Sequence, residues 1–382
     1  MKKQTRHFLP VLLCTVLLIG CGTSVSSHPT ENSKTFDTES TQETEKKDTQ
    51  ESQTQNVTQE PTEQGPEVVK ITISTAGDTT LGTNQKEGYT GSFHEYFDKF
   101  GASYFLKNVQ KVIGEDDFTI LNCEGTLTTS NNRVDKTWNH KGDPKYVEIL
   151  TSSSVEAVSL MNNHIMDYGE EGRDDTIATL EAANVGYAMS GEGVNQYGLY
   201  DTGKGVKIGY VSIAWGDGGN LKEGMEVLKE QGASIFIACI HWGTMKTHKI
   251  ENVQLELGKK AIDLGYDMVV GCHPHVLQGI ELYKGKYIVY SMGNFCYGGN
   301  SNPADKDSMI WQQTFTFIDG VKQEEVDAKV IPCRLSSVTE YNDYAPVVLE
   351  GKEATDLLDR LSTYCEQVNT YVDHEGRVHA RE

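Results

Sequence analysis

The 382-residue chain has no CxxC pair, no phosphate-binding P-loop, no dinucleotide glycine fingerprint and no internal repeat. These absences set aside thiolate metal knuckles, the common nucleotide cradles and solenoid architectures. Basic residues are also short, with 34 Lys and Arg against 55 Asp and Glu and a net charge of -21. Residues 68–382 alone carry -17. A domain this acidic repels nucleic acid and points to cations as partners. No apolar run reaches the ~20 residues needed to cross a bilayer.

The longest apolar stretch, Phe8 to Ile19, follows Lys2, Lys3 and Arg6 and ends in Leu18-Ile19-Gly20-Cys21. This is the layout of a secretion signal, and its end resembles the bacterial lipoprotein box, in which the cysteine is lipidated. The expectation is therefore a signal over residues 1–21, lipidation at Cys21, and a membrane anchor holding the protein on the extracytoplasmic face. Residues 22–67 are Ser, Thr, Gln and Glu with almost nothing apolar, so they cannot bury enough surface to offset their ordering entropy and read as an acidic tether. Six cysteines remain beyond Cys21, at 123, 239, 272, 296, 333 and 365. They are scattered over a domain large enough to build its own core, so free buried thiols are preferred, with one bridge left open.

What the chain does contain, over residues 68–335, is a recurring β-branched apolar run that ends abruptly in polar residues or glycine. VVKITIST leads to Ala76-Gly77-Asp78, FTIL to Asn122-Cys123-Glu124 and EAVSLM to Asn162-Asn163-His164; KIGYVSIA leads to Trp215-Gly216-Asp217, SIFIACI to His241-Trp242-Gly243, YDMVV to Gly271-Cys272-His273 and YIVYS to Met292-Gly293-Asn294. Runs apolar on both faces suit strands buried inside an α/β sheet. Helical spacing lies between them: Phe97, Phe100, Tyr104 and Phe105; Ile177, Leu180 and Ala183; Val253, Leu257, Ala261 and Leu264. Strand and helix in alternation predict an α/β domain. After Ile331 the pattern loosens, and residues 336–382 read as an extension with one helix marked by Leu357, Leu358, Leu361, Cys365 and Val368.

Ligands in open α/β sheets bind beyond the carboxyl ends of the strands. Those ends carry Asp78, Glu124, Asn162, Asn163, His164, His241, His273 and His275. A lone Asp there is more often a turn or cap residue, and a lone His more often a satisfied imidazole. Five separate strand ends delivering oxygen or imidazole donors are hard to attribute to chance. This donor set suits Mn²⁺, Fe²⁺ or Zn²⁺, and six or more donors are enough for two ions. Two divalent ions about 3.5 to 4 Å apart are a usual device for displacement at phosphorus. In GCHPHVLQG, His273 and His275 are then either neighbouring imidazoles aimed at different ions or incidental residues of a proline turn. Asp217, among glycines, reads only as a turn.

In order, Gly77-Asp78, NCEGTLT, NNHIMDYG, HWG, GCHPHVLQ and YSMGNF resemble the motifs of CapA-type poly-γ-glutamate capsule proteins, a branch of the calcineurin-like metallophosphoesterases. The resemblance covers residues 68–335 and implies a two-sheet α/β sandwich with a dinuclear metal site. It implies Asp78 and His275 on the first metal, Glu124 bridging, and Asn163, His241 and His273 on the second. It places His164 against the leaving group, with Asp167 able to orient its imidazole. Asn162, Lys141 and Asn294 are the expected substrate contacts, although Asn294 reads also as a support behind the ligands, and Lys141 shares a polar loop with Trp138, Asn139 and His140 and reads equally as solvated. Two positions depart from the pattern: Thr80 stands where general phosphoesterases have a histidine, and Met245 where many CapA-like sequences have a glutamate. His248 could line the site in compensation, or lie on the surface. The resemblance implies a role in capsule polymer synthesis or export, with an anionic polymer or phosphoester as substrate and capsule synthase membrane subunits as partners. It leaves open a metal-dependent hydrolase or a non-catalytic polymer-binding component.

Overall fold

The computed structural model describes residues 65–84, 86–216 and 218–381; Cys21, the signal, most of the tether and Asp217 lie outside the described residues. The apolar runs become strands of two sheets. In the larger sheet, of nine strands, the hydrogen-bonded order is Val347–Val348, Val321–Arg334, Asp307–Ile318, Val68–Thr80, Phe118–Cys123, Ala157–Ser159, Gly186–Gly191 and Val194–Gln196, with Asn294–Tyr297 beside the end of Val68–Thr80. Its central strands, from Val68–Thr80 to Gly186–Gly191, run parallel. The six-stranded sheet has the order Ile280–Tyr283, Lys286–Val289, Met268–Cys272, Ile235–His241, Lys207–Ala214 and Gly198–Asp201. Its four central strands are also parallel.

Alternation of side chains along each strand assigns the layers. Ile235, Ile237 and Cys239 point inward and pack with Ile71, Ile73, Phe118, Ile120, Met268 and Val270 in the core between the sheets. Phe236, Ala238 and Ile240 point the other way, under Leu221, Met225 and Leu228 of helix Gly219–Glu230 and Leu257, Ala261 and Ile262 of helix Asn252–Leu264. The outer face of the larger sheet is covered by Phe93, Phe97, Leu106, Ile149 and Leu180. The result is the two-sheet α/β sandwich expected from the motifs. Apolar area thus leaves water on both faces of both sheets, which is the main driving force for this layering.

Two expectations change. The helical pattern through Phe97 and Tyr104 is broken into Phe93–Phe100, a 3₁₀ turn Ala102–Tyr104 and Gln110–Ile113. Gly101, at φ 73°, ends the first helix and leaves Phe100 53% exposed. The C-terminal stretch is also more than one helix. Besides Gly351–Cys365 it supplies the edge strand Val347–Val348 and the hairpin Thr370–Val372/Val378–Ala380. Leu357, Leu358, Leu361 and Cys365 are buried in the core between the sheets, so residues 336–381 and the preceding domain share one core. All six cysteines in the described residues are free and buried. No described helix is long and apolar enough to cross a membrane.

Candidate metal centre

The carboxyl ends of the parallel strands of both sheets meet at one place. Glu124, directly after Phe118–Cys123, is fully buried, and neither of its carboxylate oxygens has a hydrogen-bond partner. Uncompensated burial of this kind is costly for a carboxylate unless a cation takes the place of water. Two donor sets close around it. Asp78, Glu124 and His275 form one, and Glu124, His241 and His273 the other, each with ligand atoms close enough to hold a metal ion. His275 Nδ1 lies 3.1 Å from Asp78 Oδ2, and its Nε2 lies 3.7 Å from Glu124 Oε1. His241 Nε2 lies 3.6 Å from Glu124 Oε1, 3.0 Å from His273 Nδ1 and 2.8 Å from Asn163 Oδ1. Asn163 therefore joins the second set.

Electrostatics support the same fit. Burial drives His241 well below the ordinary imidazole range and His273 down to about 4, so both are neutral, the form that donates a lone pair. Burial pushes Glu124 up, and Asp78 adds to the push. Asp78 itself is held low, because His275, His241 and His273 together outweigh its burial. Burial also disfavours a charged His275, but Glu124 and Asp78 more than compensate and raise it. The His275 ring thus lies between two carboxylates, a place where positive charge is favoured and a divalent cation would supply it.

Backbone geometry explains how the donors are aimed. His273 has φ 100° and His275 φ 58°, left-handed conformations that residues with a β-carbon adopt only when the surroundings enforce them. The two imidazoles of the HPH turn thereby serve different donor sets. The turn also feeds back on Asp78: the His273 amide donates to Asp78 Oδ2 at 3.2 Å, and Asn122 donates to Oδ1 at 2.8 Å. Asn122 in turn accepts from Ser159 Oγ at 3.1 Å, which ties three neighbouring strands to one ligand. Gly77 permits the approach, because a β-carbon there would lie 2.0 Å from the Gly293 carbonyl oxygen.

His164 lies beside the donor sets, buried, with Nδ1 2.6 Å from Asp167 Oδ2. Burial lowers its pKa despite that hydrogen bond. The other sequence candidates fall into place differently. Asn162 spends its side chain on the backbone, donating to Cys123 O and Leu160 O and accepting from the His164 amide, which braces the turn. Asn294 accepts from His275 Nδ1 at 2.9 Å and donates to the His275 carbonyl, so it orients an imidazole. Lys141 bonds Ser130 O at 2.7 Å and Asn131 Oδ1 at 3.2 Å and lies over the Tyr168 ring, so its ammonium is already engaged. Thr80, at the position of the missing histidine, is buried with a hydroxyl that has no partner. A cavity of about 420 Å³ opens beside His275 and Asn294, lined by Lys246, His248, Tyr297, Asn300 and Asp305. Met245 is half exposed, and His248 stacks on Tyr364 while facing that cavity.

Sequence reasoning gave no role to three neighbours of the site. Trp215 sets its ring edge-on to His241 and His273 at 5.6 and 5.1 Å. The His140 ring lies 4.0 Å from that of His164, and Lys136 bonds Asp167 Oδ1 at 2.7 Å. Trp215 stands at a strand end and was findable by the same rule that found the donors; Lys136 sits in a loop without periodicity and gave no signal.

A two-sheet α/β sandwich with buried carboxylate and imidazole donors at its strand ends, able to hold divalent metal, is the arrangement of the metallophosphoesterase class. Within it, the chain belongs to the family described as bacterial capsule synthesis protein PGA_cap, which it matches over residues 72–298. The CapA-type resemblance of the motifs is thereby borne out. The chain is 27% identical over 254 residues to the capsule biosynthesis protein CapA of Bacillus anthracis, covering 60% of each. It is 29% identical over 223 residues to the PGA biosynthesis protein CapA of Bacillus subtilis (strain 168), covering 52% of this chain and 57% of that one. A probable polyglutamine synthesis accessory protein of Mycobacterium tuberculosis (strain H37Rv) matches at 24% over 252 residues, 58% of this chain and 66% of that protein. The chain thus spans about three fifths of the length of the first two relatives. Among solved structures, TT1561 of Thermus thermophilus aligns with TM-score 0.37 and 12% identity, over 68% of this chain and 98% of that one.

Proposed function

We propose that this protein is a lipid-anchored, extracytoplasmic component of poly-γ-glutamate capsule synthesis or export, and that it works as a metal-dependent hydrolase of the phosphoesterase type. The observation that carries the hydrolase reading is Glu124, buried, without a hydrogen-bond partner and shared by two donor sets. Asp78, Glu124 and His275 would hold one divalent ion, and Glu124, Asn163, His241 and His273 a second, with Mn²⁺, Fe²⁺ or Zn²⁺ fitting these donors. Such a pair supplies Lewis-acid polarisation of a phosphoryl group and a water acidic enough to attack at neutral pH.

The chain's own residues do the rest. His164, held through Nδ1 by Asp167, presents Nε2 to the leaving oxygen and delivers a proton to it when the ring is protonated there. The cavity beside His275 offers room for the departing group of an anionic polymer or phosphoester. Anchoring rests on the Lys-rich, apolar leader and Cys21, and membrane subunits of a capsule synthase are the partners that such a location would serve.

The alternative is a polymer-binding component without catalysis, favoured by Thr80 in place of the histidine of general phosphoesterases. Metal content per chain, measured by mass spectrometry on residues 65–382 purified without chelator, decides between them. About two transition-metal ions, followed by turnover of phosphoesters or γ-glutamyl substrates, is the expected result. A chain that takes up no metal from Mn²⁺ or Zn²⁺ is not this hydrolase.

A further inference from the structure

We propose that Lys136 is a positioning residue that locks the proton of His164 in place and ties it to the metal-binding turn; the inference rests on the hydrolase reading of this site. Its ammonium is held at two points. It donates to the Asn163 carbonyl at 2.5 Å and to Asp167 Oδ1 at 2.7 Å, and it lies 3.3 Å from His164 Nδ1. Asn163 is the residue whose side chain meets His241, so one cation fixes both the backbone of a ligand and the acceptor that orients His164.

The proton position follows from counting donors. Asp167 Oδ1 accepts from Lys136, while Oδ2 accepts from the His140 amide at 2.7 Å and lies 2.6 Å from His164 Nδ1. With both oxygens acting as acceptors, Nδ1 must be the donor in that contact, and Nε2 is left as the nitrogen that exchanges protons. The His140 ring, tilted by 30° with its centroid 4.0 Å away, blocks rotation of the imidazole from one side. Without Lys136, one oxygen of a nearly inaccessible carboxylate would lose its cation, and Asp167 would be free to turn away from His164. Removing the cation would also cost stability, because Asp167 is only 1% exposed, so the positioning role is read from rate and tautomer and not from stability.

The test compares Lys136→Met and Lys136→Arg with the unaltered protein, each checked for folding by circular dichroism. Turnover of a p-nitrophenyl phosphoester with Mn²⁺ and nitrogen-15 shifts of the His164 imidazole are the two readouts. Lys136→Met is expected to lower kcat about 10- to 100-fold with KM unchanged, the usual effect of losing an orienting partner. Lys136→Arg, or added ethylamine with Lys136→Met, should restore part of kcat, and the His164 shifts should move from a single Nδ1–H tautomer to a mixture only in the methionine variant. Full kcat together with an unchanged His164 signal in Lys136→Met overturns the proposal. If the unaltered protein turns over no phosphoester, the hydrolase reading fails separately, and an unchanged His164 tautomer in Lys136→Met overturns the positioning role by itself.

Discussion

His164 and His273 follow strands of different sheets, yet both reach the same site, where their environments assign them opposite duties and substitution separates the two. His273 faces His241 Nε2 at 3.0 Å and belongs to a donor set, whereas His164 is turned to Asp167 and belongs to none. His273→Ala is therefore expected to deplete bound metal. His164→Ala should keep its metal and lose about 10² to 10⁴ in turnover, the usual share of general acid catalysis. Metal analysis beside steady-state rates checks both, and loss of metal from His164→Ala would mean that the two roles are exchanged. The φ of 100° at His273 fits this division: strain on the order of 1 to 3 kcal/mol is kept where it aims a ligand. Both residues were legible in the sequence because each follows an apolar run that stops abruptly. Asn162 satisfies the same rule and yet braces the turn, since sequence position cannot tell a side chain facing the cleft from one folded back on its own backbone.

Between elements, Glu156 shows what parallel pairing demands at the start of a strand. Its carboxylate accepts from the Thr119 amide at 2.7 Å, and its own amide donates to Thr119 O, fastening Ala157–Ser159 to Phe118–Cys123. Burial pushes its pKa up to about 7; the Thr119 hydrogen bond opposes this and neighbouring Asp116 adds to it. The folded state therefore holds this proton more tightly than the unfolded chain. The stabilisation is fully present below pH 4.5 and is lost as pH rises through about 7. Glu156→Gln keeps the acceptor but removes the titration, so it should raise stability at pH 8 by on the order of 1 kcal/mol after discounting for solvent, and leave it unchanged at pH 4.5. Thermal unfolding at the two pH values measures this; an equal shift at both would assign the effect to packing instead. Strands buried on both faces, such as Ile235–His241, were readable as continuous apolar runs. The antiparallel pair Asp307–Ile318 and Val321–Arg334 was not, because only one face is buried and polar residues such as Gln312, Thr314 and Thr316 interrupt the run. Helix Phe93–Phe100 ended early for a local reason, the glycine at 101, which periodicity does not register.

At the scale of the whole molecule, the donor sets are drawn from both sheets: Asp78 lies near the end of a strand of the larger sheet and Glu124 and Asn163 follow others, while His241 ends and His273 follows strands of the smaller. Any ion held there links the carboxyl edges of the two halves of the sandwich, and it does so only in the folded chain. Binding energy is then folding energy: a ligand at 100 times its dissociation constant adds about 2.7 kcal/mol per site. For a domain of this size each kcal/mol raises Tm by about 2 to 4 °C, so saturating Mn²⁺ at one site should lift Tm by roughly 5 to 10 °C, and chelator should reverse the shift. The net charge of -17 over residues 68–382 strengthens the attraction for cations at low ionic strength, so added salt should weaken the response without abolishing it. His273→Ala removes a donor from one of the two sets and should flatten the rise of Tm with metal concentration, although its Tm in chelator should stay close to that of the unaltered chain. Differential scanning calorimetry across a Mn²⁺ series measures all three. A Tm indifferent to metal would mean that Glu124 is satisfied by a proton and that the meeting of the two sheets serves binding or assembly alone. A metal-dependent rise lost in His273→Ala would place the ion between the sheets, where the donors converge.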